Sequence, residues 1–431
     1  MQIDPTLRPQ NPGYPAGGSD NNPQGQRGVI IASPCRNTEH PEPYQVLHTG
    51  FDTIVLAIKT ILPPEFHAHL EAQKAVAEAE QREVQIDYNG VKLLLGHYGG
   101  GGYSYVANGG EFGARWAFKK PNAKDPWGVR VTIGSTFLAT LGLGAARAHV
   151  DGVLEKLGMR FQADDISLSR VDICTDILAP DFVLDQEVFV MHQRANRRGH
   201  FSDAEMSVNG RSSRTTSVTI GKSNRRQVII YDKRLEVIEK RKAHWWAIWN
   251  QTRRLQGFPP LDPKNRNERI WRIEFRAGKS LLKDTWNIRT WADLFARFGD
   301  LCAQTGSVVR YTDPAPNDGN RARWPNHPIW DIACAEIAAD LSEMREGTDP
   351  NPVKAVIREQ HISTLTKNIR GSTLTLAALH GVGFSDLSEF FDKTAKLFED
   401  DLHSQSEHMR KLFTNAQERY QFITERHGKA Q

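Results

Sequence analysis

The chain has 431 residues, with 55 Lys and Arg against 51 Asp and Glu, a net charge of +4, and 39% hydrophobic residues. This composition is typical of a soluble globular protein, and the length exceeds what one compact core usually holds, so two or more folding units are expected. No stretch approaches the ~18 uninterrupted apolar residues of a membrane helix, which argues against a helical membrane protein.

The N-terminal segment and the cysteines both predict a cytoplasmic protein. Residues 1–45 are rich in Pro, Gly, Asn and Gln and have no apolar core of a signal peptide, so a disordered tail is expected. The four cysteines are far apart and form no CxxC pair, which argues against a zinc site or a disulfide framework. They are Cys35, Cys174, Cys302 and Cys334.

Segments with strand and helix patterns interleave up to about residue 285. They predict an α+β catalytic domain over residues 46–285, with an antiparallel-rich sheet and helices on one face. Two hairpins are expected, one turning at Asn89-Gly90 and one turning around residues 222–225. Further strands are expected at 51–58, 128–135, 167–178 and 269–277, and helices at 63–82 and 144–158.

The remainder, residues 286–431, has a mainly helical pattern. Between residues 385 and 427, large apolar side chains recur near helical spacing, which is typical of a docking face rather than of a catalytic site. A long helix of this kind is compatible with a homodimer.

Basic residues cluster in the middle of the chain. One group, including Lys222, Arg225 and Arg226, lies in the second predicted hairpin, and another, including Arg197 and Arg198, lies in a Gly/Ser-rich stretch before it. Basic loops grouped in this way suit a polyanion such as DNA. A solvated surface explains any single run equally well.

Two predicted strands carry charged residues on one face and apolar residues on the other, because successive side chains of a strand alternate. The charged faces hold Arg170, Asp172, Cys174 and Asp176 on one strand, and Arg272, Glu274 and Arg276 on the other. If both apolar faces pack on helices, the acids gather on the open face of one sheet. Salt bridges on a solvated face are the simpler interpretation, whereas gathered carboxylates suit Mg²⁺ or Mn²⁺.

The stretch "QVIIYDKRLE" (227–236) places a tyrosine at the end of an apolar strand. Alternation puts Tyr231 on the same face as Lys233. A phenol is a poor nucleophile at neutral pH because its pKa is about 10, so nearby cations or a metal are needed to make it react.

The order "RVDICTD", "IGKSNRRQVIIYDKRLE" and "WRIEFR" resembles the replication initiation factor family, the rolling-circle initiators of plasmids and filamentous phages, which are related to some mobile-element relaxases. The resemblance runs from about Phe51 to Phe275. The N-terminal tail and the segment beyond about residue 330 have no counterpart in the family pattern, which leaves origin specificity and partner binding unassigned.

The resemblance implies a replication initiator that nicks an origin DNA strand through a covalent 5′-phosphotyrosine and then rejoins it. It implies Tyr231 as nucleophile, Lys233 as the neutraliser of the phosphate, and a Mg²⁺ or Mn²⁺ ion on Asp172, Glu274 and, with less support, Glu236. Lys222 in the turn would contact DNA. A mobile-element relaxase, a DNA-binding regulator that no longer cuts, and a hydrolase that uses water remain alternatives.

Three look-alike motifs are set aside. "IGKS" (220–223) lacks the upstream glycine of a nucleotide-binding P-loop, so unwinding is expected to need a separate helicase. "FHAHL" (66–70) follows two prolines and reads as helix, where residues two apart diverge. "HWWAIW" (244–249) suits stacking on bases, but helix core packing is favoured. Tyr103 and Tyr105 are the rival nucleophiles.

Overall fold

A computed structural model describes residues 44–191, 206–211, 213–340 and 350–424. These residues form a large antiparallel sheet with helices and a C-terminal helical region, which confirms the predicted α+β class. The tail predicted over residues 1–45 lies outside the described residues except at its last two positions.

The strands of the main sheet form one continuous antiparallel surface. They are β1 (Gln45–Ile58), β2 (Val84–Tyr88), β3 (Val91–Leu95), β4 (Tyr105–Asn108), β5 (Ala114–Phe118), β6 (Val129–Ile133), β7 (Ile166–Leu178), β9 (Met206–Arg211), β10 (Arg214–Gly221), β11 (Arg226–Asp232) and β12 (Ile270–Gly278). A separate pair of short strands consists of β8 (Phe189–Met191) and β13 (Val309–Tyr311).

The α-helices lie between these strands and after them. They are α1 (Pro64–Glu80), α2 (Ser135–Lys156), α3 (Lys233–Glu239), α4 (His244–Leu255), α5 (Trp291–Val308), α6 (Pro328–Asp340), α7 (Pro350–Leu379), α8 (Leu387–Ser404) and α9 (Ser406–Thr424). No helix among them combines the length and the apolar character that crossing a bilayer requires.

The strand order determines which residues become neighbours. The sheet runs β2-β3-β4-β5-β6-β1-β7-β12-β11-β10-β9, so β1, β7, β12 and β11 are four consecutive strands although they are far apart in the sequence. Each adjacent pair among them is antiparallel. Residues opposite one another on such strands point to the same face, which brings side chains from four separate segments together.

Both predicted hairpins are present. The β2–β3 turn has Asn89 and Gly90 at φ +51° and +75°, the left-handed backbone that a type I′ turn requires. In the β10–β11 hairpin, Gly221 pairs with Gln227 and the turn spans Lys222–Arg225. This second hairpin sets the register of the strand that ends in Tyr231.

Helices cover both faces of the central strands, and not the one face that the sequence predicted, because α4 packs on the charged face as well. On the apolar face, Phe275 of β12 packs on Trp330 of α6. On the charged face, Trp249 of α4 donates a hydrogen bond to Asp176 of β7, and α7 packs on α4. The domain boundary expected near residue 285 stays a prediction.

We expect Gly221→Ala to lower the free energy of unfolding by more than about 1 kcal/mol. Gly221 has φ +94°, and an added Cβ would clash with the carbonyl oxygen of Arg226 across the turn. Chemical denaturation measures the change. Gly152→Ala is the control because Gly152 lies in α2 with open space around its Cβ position, so the same substitution should leave stability equal or raise it.

Candidate active site

Four consecutive strands bring polar side chains to one face of the sheet. Across β7 and β12, Asp172 lies opposite Arg276 and Cys174 lies opposite Glu274. Across β12 and β11, Arg272 lies opposite Tyr231. Cross-strand partners share a face, so the predicted acids and the predicted nucleophile face the same way.

Three carboxylates in this face form a compact cluster. One oxygen each from Asp52, Asp172 and Glu274 lies within 4.8 Å of the others. Such spacing allows the three oxygens to coordinate one ion of the Mg²⁺ type, which prefers oxygen ligands in octahedral geometry at about 2.1 Å. The donor set therefore fits a hard divalent cation.

Asp52 was missed by the sequence analysis because a β-bulge changes the alternation of β1. Phe51 pairs with Ile173 and Thr53 pairs with Asp172, which leaves Asp52 as the extra residue between them. Strict alternation would put Asp52 on the apolar face with Ile54. A bulge places two residues opposite one, which turns Asp52 toward the carboxylates. The signal in the sequence was an acidic residue, Asp52, within an otherwise apolar strand.

Asp172 is fully buried and is bound by two arginines. Arg170 donates to both of its carboxylate oxygens at 2.9 and 3.0 Å from Nε, and Arg276 donates to Oδ2 at 3.2 Å. Arg276 also donates to Glu274 at 2.9 Å. The side chain of Arg170 is 34% exposed and that of Arg276 is 20% exposed, so the carboxylate cluster is open to solvent beside these two arginines.

Arg272 is the fully buried cation at the centre of this face. Its guanidinium donates to both oxygens of Asp176, at 2.5 and 2.8 Å, and to Asp52. It also lies over the ring of Trp245 at 4.4 Å from the centroid. A charge out of water requires such saturation of its donors, so Arg272 fixes the position of Asp52.

The expectation of an open, solvated face was wrong. Asp172, Asp176 and Arg272 are fully buried, and Glu274 is only 4% exposed. The tryptophans of α4 cover the Asp176 end, and Trp249 satisfies the carboxylate there. Because a helix excludes water from this part of the sheet, the charged residues form a buried ionic network rather than surface salt bridges.

Negative charge is in excess within this network. Burial, together with the neighbouring Asp52 and Asp172, raises the pKa of Glu274 to about 7, while Arg276 and Arg272 oppose the shift. Burial also raises the pKa of Asp172, in spite of Arg170 and Arg276. Asp52, Asp172, Asp176 and Glu274 face only three arginines, so one more positive charge would be favourable here.

Tyr231 is partly buried beside this cluster. Burial raises the pKa of its phenol well above the ordinary value, Arg272 opposes the shift, and Glu274 adds to it. No described residue forms a hydrogen bond with the hydroxyl group. The phenol is therefore protonated at neutral pH and needs added positive charge to lose its proton.

Lys233 and Glu236 form an ion pair behind Tyr231. The Lys233 ammonium lies 5.7 Å from the centroid of the Tyr231 ring and 4.6 Å from that of Trp245. It donates to Glu236 at 2.6 Å, and Glu236 also accepts from Lys242 at 2.9 Å. Glu236, which was proposed as a metal ligand, is thus bound by lysines and is not part of the carboxylate cluster.

The predicted DNA-binding residues have different environments. Lys222 and Arg225 are exposed in the β10–β11 turn. Arg226 instead donates to Gln304 and Thr305 of α5, at 2.6 and 3.1 Å, and so joins the hairpin to that helix. Two others, Arg197 and Arg198, lie outside the described residues.

The remaining histidine and aromatic motifs contact other side chains of the protein. His67 of "FHAHL" lies on α1 and contacts the hydroxyl of Tyr105 at 3.0 Å, and Tyr105 is 1% exposed. Trp245 and Trp249 are fully buried, which confirms core packing over base stacking. Tyr103 lies under the ammonium of Lys119, at 5.1 Å from its ring centroid.

Neither a family model nor a curated protein matches the chain. Among solved structures, a rolling circle replication initiator protein from Geobacillus stearothermophilus is similar. It is 12% identical, the match covers 71% of this chain and 99% of that chain, and the TM-score is 0.35. At this level of likeness, the chemistry has to be argued from the residues of the site itself.

We expect Glu236→Gln to destabilise the protein at pH 7 by up to about 3 kcal/mol, with a smaller effect in acid. Burial alone would raise the pKa of Glu236, but Lys233 and Lys242 lower it to about 2. A carboxylate with a depressed pKa stabilises the fold above its unfolded pKa, and this stabilisation is lost as the pH falls through the folded value. Denaturant unfolding at pH 7 and at decreasing pH measures the difference.

Glu389→Gln is the control for this pH dependence. Glu389 also pairs with a lysine, Lys393 at 2.7 Å, but on the exposed surface of α8. Its removal should change stability little at any pH. A constant difference between wild type and Glu236→Gln from pH 7 to acid would contradict the account of Glu236.

Proposed function

We propose that the chain is a DNA strand transferase that acts as a rolling-circle replication initiator, with Tyr231 as nucleophile. The observation that carries the proposal is the meeting of Asp52, Asp172, Glu274 and Tyr231 on one face of four consecutive strands. A tyrosine beside a cluster of carboxylates is suited to phosphoryl transfer, in which charge on the phosphate must be stabilised.

Asp52, Asp172 and Glu274 would hold a Mg²⁺ or Mn²⁺ ion. A divalent cation bound there supplies positive charge that draws electrons from a phosphate oxygen and favours loss of the phenol proton. Burial raises the pKa of Glu274, and repulsion by Asp52 and Asp172 adds to the shift, so a cation bound among the three carboxylates would be favourable.

In the proposed step, the Tyr231 oxygen forms a bond to the phosphorus of a DNA phosphodiester. The bond from phosphorus to the 3′ oxygen breaks, the phenol loses its proton, and the leaving 3′ oxygen gains one. The 5′ phosphate stays joined to Tyr231, and attack by a 3′ hydroxyl in the reverse direction rejoins the strand. The free 3′ hydroxyl can prime synthesis, with a separate helicase to unwind the duplex.

Other residues of the face would orient these groups. The partly exposed Arg170 and Arg276 hold Asp172 in position and add positive charge at the solvent side of the cluster. Lys233 is 2% exposed and paired with Glu236, so we propose that it positions the Tyr231 ring and does not contact the phosphate. This revises the role expected from the sequence.

A DNA-binding regulator that does not cut is the second candidate. The observation in its favour is that Asp52, Asp172 and Glu274 each have an arginine partner, which a purely structural ion network also requires. A relaxase of a mobile element would use the same chemistry as the initiator, and its substrate would be a transfer origin.

We expect Tyr231→Phe to abolish formation of a covalent protein–DNA adduct, because only the hydroxyl group can attack the phosphate. Purified protein would be incubated with Mn²⁺ and labelled single-stranded DNA from its own replicon, and adducts would be resolved on denaturing gels. Tyr103→Phe removes the hydroxyl of a tyrosine outside the cluster and should leave the adduct intact. Cutting that survives in Tyr231→Phe would contradict the proposal and indicate a hydrolase that uses water.

We expect Asp52→Asn to weaken Mn²⁺ binding by at least about tenfold, since even residues that only orient ligands cost 10–100-fold when removed. Isothermal titration with Mn²⁺ measures the affinity. Asp87→Asn is the control because Asp87 is an exposed strand residue of the same sheet outside the cluster. Equal affinities in the two variants would contradict the three-carboxylate site.

A further inference from the structure

A second feature near Tyr231 is a pocket lined mainly by cations. It has a volume of about 530 Å³ and lies where β11 passes into α3, next to the start of β10 and β12. Five basic side chains line it together with one acid, and this set is called the cationic pocket below. The basic residues are Arg214, Arg234, Lys264, Arg266 and Arg269, and the acid is Asp232.

Positive charge is in excess in the cationic pocket. Asp232 is used by Arg214, which donates to its Oδ2 at 2.6 Å. The other four cations have no acidic partner in the part of the chain that the structure describes. Several like charges around one concave site repel one another, and a bound anion would relieve this repulsion.

Arg234 is held by one hydrogen bond and has a further N–H group without a partner in the part of the chain that the structure describes. One terminal nitrogen donates to the carbonyl oxygen of Pro263 at 2.9 Å, and its Nε is buried with no hydrogen-bond partner among the described residues. Buried donors without partners are uncommon, and an arginine with a free donor edge is suited to a phosphate. The pocket thus combines excess positive charge with an arginine that the chain holds at one nitrogen and that keeps an N–H group without a partner among the described residues.

The loop opposite Arg234 presents further cations. Asp262 accepts from the backbone N–H of Lys264 at 2.9 Å, and this turn leaves the side chains of Lys264 and Arg266 exposed at the rim. Neither side chain supports the fold through an ion pair in the described ranges. Exposed charged side chains without an ion pair among the described residues are available to a partner.

The cationic pocket adjoins the nucleophile along the chain. Asp232, in its wall, directly follows Tyr231 and also caps α3 by accepting from the N–H of Leu235 at 2.8 Å. Alternation puts Asp232 and Tyr231 on opposite faces of β11. The pocket therefore lies at the end of β11, on the other face of the strand from the phenol. An extended polyanion bound at Tyr231 can reach this end of the sheet.

We propose that the cationic pocket binds backbone phosphates of the DNA strand, a few nucleotides from the phosphodiester that Tyr231 attacks. This inference rests on the proposed function and extends it to a second subsite, whose lining residues do not include the predicted DNA contacts Lys222, Arg225 and Arg226. Contacts to phosphates hold a strand in register and carry no sequence information, so the pocket would position the DNA for cleavage without selecting its sequence.

The test measures binding apart from cleavage. In a Tyr231→Phe background, which cannot form the adduct, Lys264→Ala/Arg266→Ala would be compared with Lys367→Ala/Arg370→Ala. The control pair removes the same charge from exposed positions on α7, outside the pocket. Fluorescence anisotropy with labelled poly(dT) at several salt concentrations gives the affinity and its salt dependence, and thermal melting checks that the variants fold.

We expect the pocket variant to bind poly(dT) roughly tenfold more weakly than its parent, and the slope of log K against log salt to fall by about 1.4, or about 0.7 for each lost phosphate contact. The control pair should change the affinity less than twofold. Equal affinities and slopes in the pocket variant and the control would overturn the proposal.

Two further outcomes separate the sources of phosphate and the two proposals. If inorganic phosphate raises the melting temperature of the parent but not of the pocket variant, and poly(dT) binding is unchanged, the pocket takes a small phosphate ligand and the DNA assignment is overturned. If poly(dT) binding depends on the pocket but the wild-type chain forms no adduct on its own replicon, the strand transferase proposal fails and phosphate binding by the pocket stands.

Discussion

The buried guanidinium of Arg272 is the constraint on which the candidate site depends. It is fully buried, so its charge has to be met inside the protein, and Asp176, Asp52 and the ring of Trp245 meet it. These partners join β12 to β7, to β1 and to α4. Removal of Arg272 would leave the fully buried Asp176 without its arginine, which is far more costly than the loss of a surface ion pair. Arg272 therefore holds the strands in the register that brings the acids beside Tyr231.

This arrangement divides the charged face into two parts. At the Asp176 end, the tryptophans of α4 exclude water and the charges are satisfied by one another. At the Asp172 end, Arg170 and Arg276 keep some exposure and the three carboxylates carry an excess of negative charge. In the proposed mechanism, the first part would hold the strands and the Tyr231 ring rigidly, and the second part would supply the metal-binding carboxylates, so that the site is preorganised for the reaction. The cationic pocket lies around the end of β11 and adds positive charge where a DNA strand would continue.

Much of this site followed from strand alternation. Alternation predicted that Asp172 and Glu274 lie on the charged faces of their strands, and the glycine-containing turns predicted both hairpins. It placed Tyr231 with Lys233, and the strand order then brought Tyr231 to the same face as the acids. Asp52 was not placed in this way, because a single bulged residue reverses the alternation, and the acid in "FDTIVLAI" does not by itself show which face it points to. The sequence did not predict that α4 covers the charged face. This contact depends on tertiary packing, which local sequence patterns do not encode. Glu236 is bound by Lys233 and Lys242 because α3 starts at the end of β11 and turns it away from the acids.

In the proposed mechanism, Asp52, Asp172 and Glu274 hold one metal ion beside Tyr231. Crystals soaked in Mn²⁺ and measured at the manganese absorption edge test it most directly, because anomalous scattering locates the ion independently of the protein atoms. We expect a single strong peak at about 2.1 Å from an oxygen of each carboxylate, a distance typical of small hard divalent ions, on the side that faces Tyr231. Carboxylates that remain bound to their arginines with no peak between them would contradict it.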